Sequence, residues 1–266
     1  MPRIYHTEAI VLSRFELGEA DRVLTLLTPH DGKLKAIAKG VRRPRSRLGG
    51  TVEPFAELYL VLARARTFDV ITSASVGHAW LSLRDSLEST ATAWYLAELA
   101  ERAVEERAFA YPVYALLKRA YQLLDDGMAP SRVARWFEFG LADALGMRPE
   151  VERCVECDGV LEADEDFRWV PILGGTLCGR HLPPPAEGGP LSLAALKLLR
   201  AYRRLDIEAI AGLRLPVAVE AEVEQALRHF IRAVLEREPR SAAFMDEVRD
   251  YRPQMGVMAG RVADQA

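Results

Sequence analysis

Cys154-Val-Glu-Cys157, followed after twenty residues by Cys178-Gly-Arg-His181, brings together every cysteine of the chain and one of its five histidines. Two ligand pairs, each spaced by two residues, are the pattern of a zinc knuckle, because a tight turn lets both side chains of a pair reach one ion. Gly159, Gly174, Gly175 and Gly179 supply backbone freedom for such turns. Three thiolates and one imidazole complete a tetrahedron and leave no position for water or substrate. A Zn2+ ion held by Cys154, Cys157, Cys178 and His181 is therefore expected to be structural. A catalytic cysteine is disfavoured, since nothing beside these residues resembles a paired base, and His6, His30, His78 and His229 are scattered singly.

The second group is cationic. Between Lys33 and Val52 stand Lys33, Lys35, Lys39, Arg42, Arg43, Arg45 and Arg47, with no acidic residue, in a chain whose formal net charge is -3. One charge sign gathered against an acidic background repels itself and points to an anionic partner. Arginine suits phosphate, because its planar fork bonds two oxygens and stacks on a base. Pro44, Gly49 and Gly50 mark the stretch after Lys39 as a mobile loop. Phe15, Phe55, Tyr59 and Phe68 are the aromatics near it; Phe55 and Tyr59 read more readily as strand filler than as stacking platforms. A solvated loop guarding a strand edge and a nuclear-localisation signal are the weaker readings of this run.

To position these groups the chain needs two kinds of element. Up to about residue 80, "EAIVLSRF", "RVLTLLT", "KLKAIAKG", "FAELYLVLA" and "FDVITSASV" alternate as strands, with a hairpin turn at "PHDGK". Alternation puts Lys33, Lys35, Ile37 and Lys39 on one face of the third strand. Five short strands suit a small barrel, of which the OB fold is one form; other five-stranded barrels satisfy the same pattern. After residue 80 the period becomes helical in "ATAWYLAELAERAVEER", "YPVYALLKRAYQLLDDG" and "APSRVARWFEFGLADALGM", the last opened by Ser131 as N-cap. Helices resume at "SLAALKLLRAYRRL" and "AVEAEVEQALRHFIRAVLERE". The expected organisation is α+β and multidomain. An OB barrel over 1–80 precedes an all-α domain over 81–150 and 190–238, with the zinc knuckle inserted at 151–189 and a flexible tail over 239–266.

Composition excludes several classes. No apolar run is long enough for a membrane span or a signal peptide, so a cytoplasmic protein is expected. No GxxxxGKS segment is present to cradle ATP phosphates, and a zinc hydrolase would need an open metal position and a nearby base. No enzyme is expected. A scaffold whose basic loop meets an acidic protein is the alternative to nucleic-acid binding.

Taken in order, "AIAKGVRRPRSRLGGTVEPF", the helical middle and "ERCVECDGVL…GGTLCGRH" resemble the RecO family of bacterial DNA repair proteins. The resemblance covers roughly residues 5 to 235. It implies a recombination mediator without a catalytic site that binds single- and double-stranded DNA, anneals complementary strands, and works with RecR to load RecA onto DNA covered by single-strand-binding protein. It assigns DNA contact to Lys35, Lys39, Arg42, Arg43, Arg45 and Arg47, and zinc to Cys154, Cys157 and Cys178. At His181 the family more usually has a fourth cysteine, so the chain departs there while keeping an acceptable ligand. The family's helical domain also binds the acidic tail of single-strand-binding protein, for which Arg132 and Arg135 are candidates.

Overall fold

A computed structural model describes residues 4–46, 48–163, 166–181 and 188–263. By internal contacts the chain forms two compact units. One comprises the described residues up to Gly127 together with those from Pro239 onward, and the other is Met128–Glu238.

The first unit begins with five strands, β1 (Ile4–Leu17), β2 (Asp21–Thr28), β3 (Gly32–Ala38), β4 (Ala56–Ala63) and β5 (Asp69–Ala79). They close into a barrel in the order β1-β2-β3-β5-β4. All pairings are antiparallel except β3 with β5, where Ala36 stands beside Asp69. Small and branched side chains point inward, including Ala9, Val11, Leu24, Leu26, Leu34, Ala36, Leu58, Leu60, Leu62 and Ile71, which fits the narrow interior of a five-stranded barrel. The outward residues Ile10, Leu12, Val23 and Leu27 are buried as well. Helices lie over that side, α1 (Leu87–Ala103) on β1 and α2 (Tyr111–Asp125) on β2.

The turn at Asp31-Gly32 forms as the sequence predicts. Gly32 has φ 55°, and a Cβ there would stand 2.2 Å from the Ala108 carbonyl oxygen, so only glycine lets the α1–α2 connection pass this close.

The tail expected beyond Pro239 is instead helical. Helix α7 (Arg240–Ala263) packs on α1, and the Glu98 carboxylate of α1 accepts from the backbone N–H groups of Arg240 (3.0 Å) and Ser241 (2.8 Å) and from Ser241 Oγ (2.5 Å). The local sequence lacks an apolar face strong enough to announce a helix; a carboxylate from a distant helix opens it.

The second unit holds α3 (Pro130–Ala144), a three-stranded sheet of order β7-β6-β8 (Gly175–Leu177, Phe167–Val170, Gly189–Leu191), and α4 (Leu193–Arg204), α5 (Ile207–Ala211) and α6 (Val217–Leu235). Ser131 is not the N-cap of α3: Ala129 is, and Pro130 takes the first helical position, where its missing N–H costs nothing. Ser192 does cap α4, accepting from the Ala195 N–H at 3.1 Å. Among the described residues no helix is long and apolar enough to cross a membrane.

Candidate nucleic-acid surface and metal centre

Alternation along β3 turns Lys33, Lys35 and Ile37 outward, as expected, and Lys39 follows on the same side. Lys33 is engaged, its Nζ donating to the Glu101 carbonyl oxygen at 2.6 Å. Lys35 and Lys39 are exposed.

The β3–β4 connection that follows, expected as a mobile loop, is built as a chain of turns. Successive bonds run from Arg43 N to Gly40 O (3.1 Å), Ser46 N to Arg43 O (2.9 Å), Gly49 N to Ser46 O (3.3 Å) and Thr51 N to Leu48 O (3.1 Å). Val41 and Val52 are buried in the barrel core, and Leu48 packs against it. These apolar anchors hold the turns at one end of the barrel and leave Arg42, Arg43 and Arg45 in solvent. Arg42 pairs with Glu16 at 3.0 Å; Arg47 lies outside the described residues. Of the aromatics, Phe55 is buried edge-on against Trp94 and Tyr121, Phe68 is half-buried, and Phe15 and Tyr59 are exposed.

Three further cations stand near Lys35 that the sequence reading passed over. Arg64 and Arg66, from the β4–β5 turn, and Arg107, from the α1–α2 connection, line one cleft with it. Arg64-x-Arg66 in a turn was a readable signal; Arg107 reaches the barrel only through the fold. Arg107 donates to Asp69 at 2.6 Å and to the Tyr5 hydroxyl at 3.2 Å, and that hydroxyl donates to Asp69. Burial, the largest influence on the Asp69 carboxyl, raises its pKa, but Tyr5, Arg107 and the Ala65 N–H together hold it below its ordinary value. Burial and the neighbouring carboxylate push the Tyr5 hydroxyl up to about 12, so it stays a donor.

In the second unit, the four ligand atoms of Cys154, Cys157, Cys178 and His181 lie within 4.8 Å of one another. Cys178 Sγ is 3.3 Å from His181 Nδ1, Cys154 Sγ is 3.9 Å from the same nitrogen, and the Sγ atoms of Cys157 and Cys178 are 4.0 Å apart. Zinc–ligand bonds of about 2.0–2.3 Å at tetrahedral angles give nitrogen–sulfur and sulfur–sulfur edges of about 3.5–3.8 Å, which these three separations bracket. Cys154 and Cys178 are 2% and 1% exposed.

The sulfur environment favours a cation. At Cys154 burial is the largest influence and raises the pKa, but the N–H groups of Cys178, Cys157 and Glu156 outweigh it and the thiol is lowered. At Cys157 the Gly159 N–H lowers the pKa, yet burial and the neighbouring sulfurs carry it upward. Thiolates gathered this closely repel one another, and a divalent ion among them removes that repulsion.

Backbone and arginine contacts hold the site together. A Cβ on Gly175 would meet the Glu150 carbonyl oxygen at 2.4 Å, where the two segments bond through Thr176 N to Glu150 O at 3.0 Å. Arg200 of α4 donates to the carbonyls of Val151 (2.8 Å) and Leu161 (3.1 Å) on either side of the first cysteine pair.

Arg132 and Arg135 are poor candidates for an external anion. Arg132 donates to the carbonyls of Ile210, Ala211 and Leu213 at 3.0, 2.6 and 2.9 Å and pairs with Glu220 at 3.0 Å. Arg135 is buried and pairs with Glu138 at 2.6 Å and Glu224 at 3.5 Å. The i, i+3 spacing placed both on one helix; that this face turns inward depends on α5 and α6.

A family model described as "Recombination protein O N terminal" matches residues 1–80, and one described as "Recombination protein O C terminal" matches residues 84–243. A DNA repair protein RecO of Roseiflexus sp. (strain RS-1) is 40% identical over 93% of this chain and 87% of its own length. Others so named are 33% identical in Dehalococcoides mccartyi (strain CBDB1), over 93% and 97%, and 38% identical in Anaeromyxobacter sp. (strain Fw109-5), over 90% and 94%. With both halves matched and such relatives aligned over nearly their whole length, the chain belongs to the recombination protein O (RecO) family, a family of DNA repair and recombination proteins.

Proposed function

We propose that this chain is a non-catalytic recombination mediator. It binds single- and double-stranded DNA, anneals complementary strands, and with RecR helps load RecA onto DNA coated by single-strand-binding protein. Family membership supports the repair and recombination role. The observation that carries DNA contact is the outward row Lys35–Lys39 continuing into Arg42, Arg43 and Arg45, all solvent-exposed on a set of turns anchored by Val41, Leu48 and Val52. Strand order β1-β2-β3-β5-β4 with parallel β3 and β5 supports reading the barrel as an OB fold, whose second and third strands carry oligonucleotides.

Annealing itself is driven by base pairing. The protein's part is to lower phosphate repulsion between the strands, which calls for cations and no covalent step. Cys154, Cys157, Cys178 and His181 hold a Zn2+ ion, which cross-links the two turns and takes no part in any reaction.

The test is strand annealing and single-strand affinity across salt, for wild type and Arg42→Gln/Arg43→Gln, with zinc content measured on both. Five cations on phosphates give a slope of log affinity against log salt of about -3.5, and the double variant flattens it by about 1.4. Annealing falls while zinc stays bound. A slope near zero in the wild type refutes DNA contact by this surface and favours an acidic protein as the partner of the basic turns.

A further inference from the structure

The α1–α2 connection, residues 104–110, is neither strand nor helix, yet it is bound along the barrel. Lys33 N donates to Glu105 O (3.4 Å), Arg107 N to Lys33 O (3.1 Å) and Ala110 N to Pro29 O (3.3 Å). Arg107 sits at φ 61°, a left-handed conformation that a side chain disfavours, and its bonds to Asp69 and Tyr5 hold it there.

This fixed connection does two things. It walls a cleft of about 600 Å³ against Lys35, Arg64 and Arg66. Arg107 is neutralised by Asp69, so three cations face one lining carboxylate, Glu106, and the cleft keeps a positive balance. Just past Arg107, it also presents Phe109, and α2 opens on Tyr111, 69% and 53% exposed. The His30 ring lies 6.3 Å from Phe109 and 6.5 Å from Tyr111, nearly parallel to the latter at 16°. Three adjoining rings left in water, one of them two residues past the Arg107 that lines the cleft, are costly for a surface with no partner.

We propose that the α1–α2 connection completes a single-strand site, in which Lys35, Arg64 and Arg66 grip phosphates and His30, Phe109 and Tyr111 stack the unpaired bases that follow. This rests on the DNA-binding reading above and extends it beyond the barrel strands. A single strand satisfies both halves at once, since its phosphates suit the cleft and its bare base faces suit the rings. A duplex keeps its bases stacked inside and cannot use the rings, so the connection biases the protein toward unpaired DNA. Arg107 is a positioning residue here, holding the connection and, through Asp69 and the Ala65 N–H at 3.1 Å, the β4–β5 turn that carries Arg64 and Arg66.

The experiment uses the full-length, zinc-loaded protein with a thymidine oligonucleotide, an abasic strand of equal length and a duplex. Phe109→Ala/Tyr111→Ala should bind the thymidine strand about 5- to 140-fold more weakly, the range for one stacked base, with salt slope unchanged. The abasic strand and the duplex should lose nothing. Arg64→Gln/Arg66→Gln should flatten the single-strand slope by about 1.4. All four residues are exposed, so both variants should fold, and matching thermal melts check that. If the aromatic variant binds the thymidine strand as wild type does, or weakens all three probes equally, the base-stacking site is wrong and the rings belong to a protein contact. If the arginine variant leaves the slope unchanged while Arg42→Gln/Arg43→Gln lowers it, the cleft is wrong and the basic turns stand. Wild-type protein that fails to bind the thymidine strand at all sinks the DNA-binding reading and this site with it.

Discussion

Replacing Glu98 by alanine should detach α7 from α1 without unfolding the rest of its unit. The Glu98 carboxylate accepts from two N–H groups at the start of α7, from Ser241 Oγ and from Arg102 Nη2 at 2.6 Å. Losing a capping side chain costs about 1 kcal/mol, and the Ser241 hydroxyl adds about 0.5–1 kcal/mol; Arg102 lies on α1 itself and keeps its place whether or not α7 is docked. The total, about 1.5–2 kcal/mol, corresponds to amide exchange in α7 that is faster by about 12- to 27-fold if exchange proceeds through local opening. Hydrogen exchange read by mass spectrometry on peptides from residues 240–251 measures this directly. The effect also carries a pH signature. Burial, the largest influence on Glu98, raises its pKa, but the donors at Ser241, Arg240 and Arg102 outweigh it, so the folded pKa is lowered. A lowered folded pKa contributes stability that is present above the ordinary carboxylate pKa and lost as pH falls through the folded value. Wild-type protection of α7 should therefore fade below the ordinary carboxylate range and approach that of Glu98→Ala. Unchanged exchange in the variant, or equal acceleration in β1–β5, refutes the cap as the element that docks α7.

Two other outcomes follow from the second unit. Cys154→Ser should lose zinc and open residues 150–181 to protease, because binding energy of about 10 kcal/mol or more is folding energy at such a site, while the salt slope for single-stranded DNA stays at its wild-type value; retained zinc would contradict the ligand assignment. Arg132→Ala should destabilise the Met128–Glu238 unit by about 2–4 kcal/mol in denaturant titrations, since three carbonyls and Glu220 lose a shared charged donor. Unchanged stability with weakened binding of an acidic peptide would restore Arg132 as a surface contact.

Much of this was legible because the informative periods are local. The two-residue alternation of "KLKAIAK" is enough to separate Leu34, Ala36 and Ala38 from Lys33, Lys35 and Ile37, and the barrel interior follows from the same rule in its neighbours. The metal tetrad was legible for a related reason, since each pair lies within one turn and its spacing is itself the geometry. Ser131 resembled a cap, but its neighbour Pro130 is better suited to begin the helix, a local misreading. The other misreadings fell where a distant partner decides. "VRRPRSRLGG" looked unanchored because Val41, Leu48 and Val52 are apolar singletons whose burial shows only once the barrel gives them a place. The final helix was hidden because its capping carboxylate stands 142 residues earlier.

By itself, the amino-acid sequence determined which residues could serve as strands, helices, thiolate ligands and phosphate grips, since propensity, periodicity and pair spacing act over a few residues. Tertiary structure alone decided the strand order of the barrel, the inward turn of Arg132 and Arg135, and the meeting of Lys35, Arg64, Arg66 and Arg107 around one cleft. Those depend on which apolar faces bury one another and on which buried charges find partners, free-energy differences summed over contacts that no local stretch of chain contains.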